Sequence, residues 1–383
     1  MKRHVISVRD NWTERAQEVG FTYHTAGRKS ESGSGTYWDE SVAYEFTEAE
    51  VDELEDATQE LHARCLDAVD KVVHDPELMT RMGIPVQFHD YILRSWQRSD
   101  PSLYGRFDLA YDGASAPTML EYNADTPTMI IETALMQWFW LQDVKPGQDQ
   151  FNSLHEKLLE RLQQIGTLMP KSQPLYFTGY EGNEEEHQTC LYLCDLAQQA
   201  GLQSEFMDLS KIGWTGSEFV TEQMEPMKFW FKLYPWEWMF QDEFGAHTCL
   251  DSAGILEPVW KSVLSNKGIL PILYEMFPDH PNILPAYWTA DPFHSQSYVA
   301  KPMLSREGAN IQMVENGQVV AETPGIYQGA KIFQKKAATF TDGAHRAIIG
   351  SWVVGDQPAG MIIRDHDQLI VQDVSKVVPH WFS

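Results

Sequence analysis

The stretch "YGRFDLAYDGASAPTMLEYNADTPT", residues 104–128, sets an unusual density of charge among apolar residues. Its pattern predicts two strands, "GRFDLAYD" and "PTMLEYNA", joined by a short turn of small residues and proline. Successive side chains of a strand point to opposite faces, so Arg106 and Asp108 share one face of the first strand. In the second strand Glu121 and Asn123 share a face.

If these strands pair, Asp108, Glu121 and Asn123 converge on one point. Two carboxylates and an amide carbonyl are hard oxygen donors, which hold Mg²⁺ while leaving room for waters and phosphate oxygens. Arg106 beside them would repel a metal ion unless an anion lay between the two, and this combination fits a phosphoryl-bearing intermediate. The alternative is a solvated face of an edge hairpin with an internal ion pair, and the spacing alone leaves both interpretations open.

The bulk composition bounds the class of protein. The chain has 383 residues, of which 43% are hydrophobic, so it can form two or three domains or one large composite domain. A net charge of −26 argues against a nucleic-acid backbone or an anionic membrane as a partner. Residues 1–9 lack the apolar run of a signal peptide, and the longest apolar run, residues 129–141, is too short to span a bilayer. We therefore expect a soluble, cytoplasmic protein.

The four cysteines are too few for a disulfide framework in a chain of this length. Cys190 and Cys194 are one helical turn apart, with His187 on the same helix face. These three residues and a fourth ligand would make a metal site. The pattern favours small apolar residues on a buried helix face instead.

The first part of the chain reads as mostly helical. Thr47 and Glu50 form a capping-box pattern that opens a long amphipathic helix, which we expect Pro76 to end. Ser153 is expected to cap a further helix that runs to Met169.

The later parts read differently. From residue 174 a strand–helix–strand alternation predicts a small doubly wound α/β unit. From residue 256 a helical region gives way near residue 277 to short strands separated by turn residues, which predicts an antiparallel sheet. These changes predict a division into residues 1–168, 169–250 and 251–383.

A second candidate segment is "AKPMLSREGANIQMV", residues 300–314. Lys301 ends a predicted strand, and a turn with Gly308 follows it. A loop with free backbone N–H groups and a nearby lysine can fold over phosphates, although ordinary hairpins give the same pattern. The Walker A pattern is absent, which excludes a P-loop. The segment "SNKGILPILYEMFPDHP" supplies a further lysine, Lys267, before an apolar helix.

Two further segments carry weaker signals. Glu184, Glu185 and Glu186 begin a predicted helix, where the helix dipole favours each acidic residue by about 0.3–1 kcal/mol. The alternative is a negative pocket that pairs with the ammonium groups of an amine. The aromatic-rich segment "WFKLYPWEWMF" favours core packing over substrate contact.

Taken together, the motifs resemble the synthetase domain of the glutathionylspermidine synthetase family. The segments that carry the resemblance occur in the family's order: "YGRFD", "EYNAD", "EEEH", "SNKGILPILYEMFPDHP", "KPMLSREGANI", "GIYQ" and "IIRD". The resemblance implies an ATP-grasp fold of the α+β or α/β class, with a small doubly wound, pre-ATP-grasp-like α/β unit that binds substrate. It also indicates the stand-alone bacterial form, an acid–amine ligase without the family's amidase domain.

The resemblance also implies roles for individual residues. It implies that Asp108, Glu121 and Asn123 hold Mg²⁺, and that Arg106 is catalytic, binding the substrate carboxylate and stabilising the acyl phosphate. It implies that the nucleotide, ATP, is contacted by Lys267, Lys301, Gly308 and Gln328, with "SREGAN" as a mobile lid. It implies that the substrates are contacted by Thr126, Thr128, Glu184, Glu185 and Arg364.

The implied reaction joins a peptide-like acid to a polyamine-like amine through an acyl phosphate, with ATP and Mg²⁺. Pro127 and Met129 replace small or thiol-bearing residues of the family, so the resemblance does not identify the acid. One alternative is a catalytically silent ATP-grasp protein that binds nucleotide or polyamine, although every metal and lysine position is filled. Another is a Mg²⁺-dependent phosphohydrolase, in which the glutamates and the lysine pair would have no role.

Overall fold

The computed structural model describes residues 1–25, 37–170, 172–372 and 375–383, together with the backbone of residues 29–30 and 33–34. The protein is a mixed α/β structure with several sheets. Its α-helices are α1 (Trp12–Glu18), α2 (Glu48–Val73), α3 (Pro76–Arg81), α4 (Val86–Gln97), α5 (Gln137–Val144), α6 (Leu154–Gly166), α7 (Glu184–Gln199), α8 (Trp236–Met239) and α9 (Ile269–Met276). Its strands are β1 (Lys2–Val5), β2 (Lys29–Ser30), β3 (Gly33–Ser34), β4 (Val42–Phe46), β5 (Tyr104–Ala110), β6 (Thr118–Asn123), β7 (Leu175–Gly179), β8 (Ser204–Asp208), β9 (Gly213–Trp214), β10 (Phe219–Val220), β11 (Phe229–Lys232), β12 (Gly254–Leu256), β13 (Ala286–Tyr287), β14 (Tyr298–Pro302), β15 (Gln312–Glu315), β16 (Gln318–Glu322), β17 (Lys331–Lys335), β18 (Thr341–Asp342), β19 (His345–Val354), β20 (Gln357–His366), β21 (Lys376–Val378) and β22 (His380–Phe382).

The central sheet has the strand order β21-β20-β19-β5-β6, with β18 paired to β19. Its named strands pair antiparallel, so β5 and β6 form the predicted hairpin and β19 supports it from the other side. Helix α2 lies against this sheet, and the hydroxyl groups of Thr58 and Ser351 share a hydrogen bond of 2.7 Å between them. The sheet is thereby fixed to a long helix, which gives the hairpin a rigid support.

The long helix α2 has the predicted capping box. The Thr47 side chain accepts a hydrogen bond from the Glu50 backbone N–H, and the Glu50 side chain accepts one from the Thr47 N–H. The prediction that Pro76 ends this helix is wrong: α2 ends at Val73, and Pro76 is the first residue of α3. Proline fits there because the first helical N–H has no intrahelical acceptor, and the Asp75 side chain caps the new helix.

The predicted cap of α6 is also corrected. Ser153 occupies the N-cap position, but its side chain makes no capping hydrogen bond. Its hydroxyl instead donates to the backbone carbonyl of Ala359 at 3.3 Å, which ties the start of α6 to β20. The helix ends at Gly166 rather than at Met169.

A second sheet, with the order β12-β11-β7-β8, is parallel throughout. Helix α7 connects β7 to β8 and packs on both strands, which confirms the predicted strand–helix–strand alternation. Cys190 and Cys194 lie on the buried face of α7, and burial raises the pKa of the Cys190 thiol. The interpretation of these cysteines as apolar core residues is confirmed.

A third sheet, with the order β13-β17-β14-β15-β16, is antiparallel, as predicted for the region after residue 256. The helical region expected before it is a 3₁₀ turn, Val259–Ser262, followed by α9. The three-part division of the chain stays a prediction. Within the described ranges, every helix is too short or too polar to cross a lipid bilayer.

Candidate active site on strands β5 and β6

The register between β5 and β6 sets Asp108 opposite Glu121 and Arg106 opposite Asn123. The predicted pairing is therefore confirmed, with an irregularity in register after Asp108. On the other side of β5, Asp108 lies opposite Gly350 of β19. A Cβ atom at that glycine would lie 2.9 Å from Cδ of Arg106, so the missing side chain leaves the space in which the arginine lies.

Asp108 is a buried carboxylate held between two arginines. Its side chain forms ion pairs with Nη2 of Arg364 and, at 3.5 Å, with Nε of Arg106. Burial raises the pKa of Asp108, and the charge of Glu121 adds to the rise while the two arginines oppose it. Among the described residues the buried Oδ1 atom of Asp108 has no hydrogen-bond partner, and Nε of Arg106 lies 3.5 Å from it. An unsatisfied buried oxygen is costly, which indicates that this carboxylate is arranged for a ligand.

Glu121 pairs with the lysine of a distant motif. Nζ of Lys267 lies 2.8 Å from Oε2 of Glu121 and also donates to the Ser305 carbonyl at 2.6 Å. Burial would raise the pKa of Glu121, but Lys267 and Lys301 outweigh it and hold the pKa below its usual range. The carboxyl group is therefore kept ionised.

Lys301 lies on β14 of the third sheet and approaches the same cluster. Its Nζ donates to Oε1 of Gln334 at 2.7 Å and to the carbonyl of Leu120, next to Glu121, at 3.0 Å. Burial lowers the pKa of Lys301 to about 8, and Lys267 contributes to the decrease. The two lysines predicted from separate motifs thus meet beside one carboxylate.

The cluster offers donor atoms that suit a divalent cation, although four cationic side chains surround its two carboxylates. Asp108 and Glu121 offer carboxylate oxygens, and Nδ2 of Asn123 donates a hydrogen bond to Oε1 of Glu121 at 3.5 Å, so that the amide belongs to the same cluster. These hard oxygen donors include the unsatisfied Oδ1 of Asp108, and they are the type that Mg²⁺ prefers. In the part of the chain that the structure describes, no group of three or more His, Cys, Asp and Glu side chains is arranged for a metal ion. A Mg²⁺ site here would therefore rely on the amide as well as the two carboxylates.

The loop after β6 contains the two predicted substrate threonines. Nη1 of Arg106 donates a hydrogen bond to the Thr128 carbonyl, and Nη1 of Arg306 donates to Oγ1 of Thr126 at 2.9 Å. Met129 follows with a φ of 77°, which is strained for a residue with a side chain. Two guanidinium groups therefore flank this loop.

Part of the site opens onto a small cleft, and Arg106, Asp108 and Lys301 lie outside its lining. Its lining comes from the hairpin, from the Lys267 segment and from the loop after β14: among others Glu121, Asn123, Thr126, Glu237, Lys267 and Arg306. The cleft is therefore shared by segments that are far apart in the sequence.

Helix α7 begins with the three predicted glutamates, Glu184, Glu185 and Glu186, which are far from the hairpin in the sequence. Each of them has a different environment. Asn183 caps the helix by accepting a hydrogen bond from the Glu186 N–H, and the Glu186 side chain accepts hydrogen bonds from the Tyr180 N–H at 3.2 Å and from the Asn183 side-chain amide at 2.9 Å. Burial lowers the pKa of His24, and the charge of Glu184 opposes this shift, so the two side chains lie near each other.

Glu185 acts on a buried carboxyl group that the sequence did not single out. Glu132 begins a single π-helical turn, is fully buried, and accepts hydrogen bonds from Tyr37 at 2.7 Å and Tyr23 at 3.2 Å. Burial raises the pKa of Glu132 to about 7, and the charge of Glu185 adds to the rise. Glu132 and Glu185 thus belong to one acidic region.

The remaining predicted residues differ in whether they lie in the cluster around Asp108 and Glu121. Gly308 has a φ of 69° in the loop after β14, and a Cβ there would overlap the Val371 carbonyl oxygen. Gln328 is exposed, and within the described residues its side chain makes no hydrogen bond or ion pair. Arg364 is not free for a ligand on all sides, because it pairs with Asp108. The structure therefore gathers Arg364 into the cluster and leaves Gln328 outside it.

Sequence reasoning missed three side chains of this region. Arg306 was available in the "SREGAN" motif, which was interpreted only through its glycine and the preceding lysine. Gln334 is almost fully buried between Lys301 and the Met119 carbonyl, and no motif marks it. Glu237 pairs with Arg306, although its aromatic-rich segment favoured core packing.

Comparison with known proteins decides the family. The model of the family described as glutathionylspermidine synthase preATP-grasp matches residues 3–383. The chain belongs to this glutathionylspermidine synthase family. The resemblance inferred from the motifs is confirmed, and membership makes the chain an enzyme of the carbon–nitrogen ligase class.

Relatives in the glutathionylspermidine synthase family differ in length. The Haemophilus influenzae protein named "Putative acid--amine ligase" is 36% identical over 98% of this chain and 97% of its own length. The trypanothione synthetase of Crithidia fasciculata is 27% identical over 81% of this chain and 52% of its own length. The bifunctional glutathionylspermidine synthetase/amidase of Escherichia coli is 26% identical over 88% of this chain and 58% of its own length. The chain thus spans about half the length of these two larger relatives.

A solved structure supports the fold. The glutathione synthetase-like effector of Globodera pallida, in its apo form, aligns with a TM-score of 0.59 at 9% identity, covering 97% of this chain and 96% of that chain. At this identity the likeness concerns the fold alone.

Proposed function

We propose that the chain is an ATP- and Mg²⁺-dependent carboxylate–amine ligase with an ATP-grasp fold, which joins a peptide-like acid to a polyamine-like amine. The observation that carries the proposal is the Asp108–Glu121 pair across β5 and β6, with an unsatisfied buried oxygen on Asp108. Lysines and arginines from four other positions surround this pair, which is the arrangement that phosphate groups require.

The residues of the cluster divide into three roles. Asp108, Glu121 and Asn123 would hold Mg²⁺, which neutralises charge on the phosphate groups when it is bound. Lys267 and Lys301 are proposed to contact the nucleotide, under a lid whose turn depends on Gly308. Arg364 is proposed to contact substrate or phosphate from the opposite side of Asp108. Gln328 is also proposed to contact the nucleotide, from the exposed segment in which it lies.

The acid binds at the loop that contains Thr126 and Thr128. Its carboxylate oxygen forms a bond to the terminal phosphorus of ATP, the bond from that phosphorus to the bridging oxygen breaks, and ADP leaves. A free carboxylate is a poor electrophile toward an amine, and the resulting acyl phosphate supplies a leaving group. Arg106, which already contacts the Thr128 carbonyl, stabilises the negative charge that develops at the reacting carboxyl group.

The amine attacks as a neutral nitrogen. The nitrogen forms a bond to the acyl carbon, the bond from that carbon to the phosphate oxygen breaks, and the nitrogen loses a proton as phosphate leaves. Glu184 and Glu185 are proposed to hold other, charged nitrogens of a polyamine-like substrate. The Crithidia fasciculata and Escherichia coli relatives named as glutathionylspermidine synthases support an amine of this kind.

The test is substrate-dependent release of ADP across a panel of peptide-like acids and polyamines, with mass spectrometry of the products. A product whose mass equals acid plus amine less water is expected only when ATP, Mg²⁺ and both substrates are present. The variant Arg106→Ala should still bind ATP but should not form this product, whereas Arg15→Ala, at an exposed pair with Glu18, should behave as the wild type.

Two outcomes would contradict the proposal. Release of phosphate from ATP without an amine would indicate a phosphohydrolase. Nucleotide or polyamine binding without turnover across the whole panel would indicate a binding protein.

A further inference from the structure

We infer that Glu237 is a positioning residue for ligation, which orients Arg306 over the acid-binding loop. This inference rests on the proposed ligase function, and it adds two residues to the site. Arg306 lies on the lid loop after β14, and Glu237 lies on the short helix α8, which belongs to the segment after β11.

Helix α8 is fixed firmly to the residue that precedes Thr126. Asp125 accepts a hydrogen bond from the Trp236 N–H at 2.7 Å and pairs with Nζ of Lys232 at 2.6 Å. Both members of this ion pair have no exposed side-chain surface. A buried pair that is fully hydrogen-bonded has little freedom to rearrange, so α8 and the acid-binding loop form one rigid platform.

On this platform Glu237 binds one edge of the Arg306 guanidinium. Its Oε1 atom accepts hydrogen bonds from Nε at 3.1 Å and from Nη2 at 2.7 Å. The third nitrogen, Nη1, points to Oγ1 of Thr126 at 2.9 Å. The indole of Trp238 lies 5.6 Å from the guanidinium carbon, which adds a cation–π contact.

Within the described residues, the hydrogen bonds of Arg306 go to Glu237 and to Thr126, and the other N–H groups of its fork have no acceptor. A guanidinium has five N–H groups in a planar fork, and Glu237 uses two of them on one edge. The edge that carries Nη1 faces Thr126, the residue proposed to hold the acid. Glu237 therefore fixes the rotation of the fork, so that the Nη1 edge stays directed at the acid-binding loop.

The ion pair also differs from an ordinary surface pair. Side-chain exposure is only 14% for Glu237 and 27% for Arg306, and both residues line the cleft of the site. Exposed ion pairs contribute little to stability. Placement at the junction of the lid, α8 and the acid-binding loop favours a role in orientation.

The variant Glu237→Gln removes the charge and keeps the size of the side chain. We expect kcat for amide formation to fall roughly 10- to 100-fold, since small misplacements of a catalytic group have effects of this size. The KM for ATP should stay within about 2-fold, because Glu237 does not touch the lysine cluster. Glu243→Gln, an exposed glutamate on the same segment, is the matched control and should behave as the wild type.

A double-mutant comparison separates orientation from general structural damage. In an Arg306→Ala background, Glu237→Gln should cause no further loss of kcat, because the residue that it orients is absent. Independent losses that multiply would overturn the inference. So would a Glu237→Gln enzyme that ligates at the wild-type rate.

The failure of the proposed function would look different. If the wild type formed no product with any acid and amine, the ligase proposal and this inference would both fall. If the wild type were active and Glu237→Gln equally active, only the inference about Glu237 would fall. A shifted thermal midpoint with unchanged kcat would assign the pair a structural role alone and would also overturn it.

Discussion

Replacing Glu132 by glutamine tests the electrostatics of the buried acidic region. Glu132 has 0% exposure, its hydrogen bonds come from the hydroxyl groups of Tyr23 and Tyr37, and the charge of Glu185 acts on it from α7. Burial raises its pKa from the ordinary 4.5 to about 7. The folded protein therefore holds a proton that the unfolded chain releases between these two pH values.

The contribution of Glu132 to the stability of the folded protein falls as the pH rises. Because the folded-state pKa of Glu132 is raised, its stabilising contribution is complete below about pH 4.5 and is lost as the pH rises to about 7. One pKa unit corresponds to about 1.36 kcal/mol, so the loss in the free energy of unfolding approaches about 3 kcal/mol. Glutamine does not titrate, and Glu132→Gln should lack this dependence on pH.

The assay is the free energy of unfolding in urea, measured between pH 4.5 and pH 8 for the wild type and for Glu132→Gln. The stability of the variant relative to the wild type should increase by about 3 kcal/mol across this range. Glu243→Gln, at an exposed site, should show a nearly constant difference from the wild type. A difference for Glu132→Gln that changed by less than about 1 kcal/mol would refute the reasoning, because it would mean that the buried carboxyl group is ionised in the folded protein.

Two other substitutions test the supports of the site. Lys232→Met leaves Asp125 buried without its partner and should lower the free energy of unfolding, measured in urea, by about 3–5 kcal/mol. Lys228→Met, at a more exposed ion pair, should lower it by less than about 1 kcal/mol. Equal effects of the two substitutions would contradict the argument. Gly308→Ala places a Cβ against a backbone carbonyl oxygen at a position with a positive φ, so amide hydrogen exchange in the lid loop should accelerate. Gly317→Ala is the control, because φ is also positive there but the space around the added Cβ is open, and exchange at its hairpin turn should accelerate much less. Similar acceleration in both variants would show that the overlap does not matter.

The hairpin of the site could be predicted from the sequence because alternation in a strand has a period of two. The faces of Arg106, Asp108, Glu121 and Asn123 follow from that period alone, and the register confirms them. The irregularity after Asp108 has no such signature, since a bulge depends on how neighbouring strands fit together.

Contacts between distant segments could not be predicted in the same way. The ion pair of Lys267 with Glu121 depends on how the segment before α9 packs against the central sheet, which no local pattern encodes. Glu132 interrupts an apolar run, and its hydrogen-bond partners, Tyr23 and Tyr37, lie about a hundred residues earlier in the sequence. Arg306 was visible within a motif, but its partner on α8 depends on tertiary packing.

Gly350 shows how an absent side chain can control a charged one. Gly350 of β19 is the register partner of Asp108 on the neighbouring strand β5, and the aliphatic part of the Arg106 side chain lies over this glycine. An alanine there would displace that arginine while leaving every ionisable residue of the chain in the sequence. The addition of one methyl group on β19 would therefore resemble the deletion of a guanidinium, and an enzyme inactivated in this way would still carry all of its charged motifs.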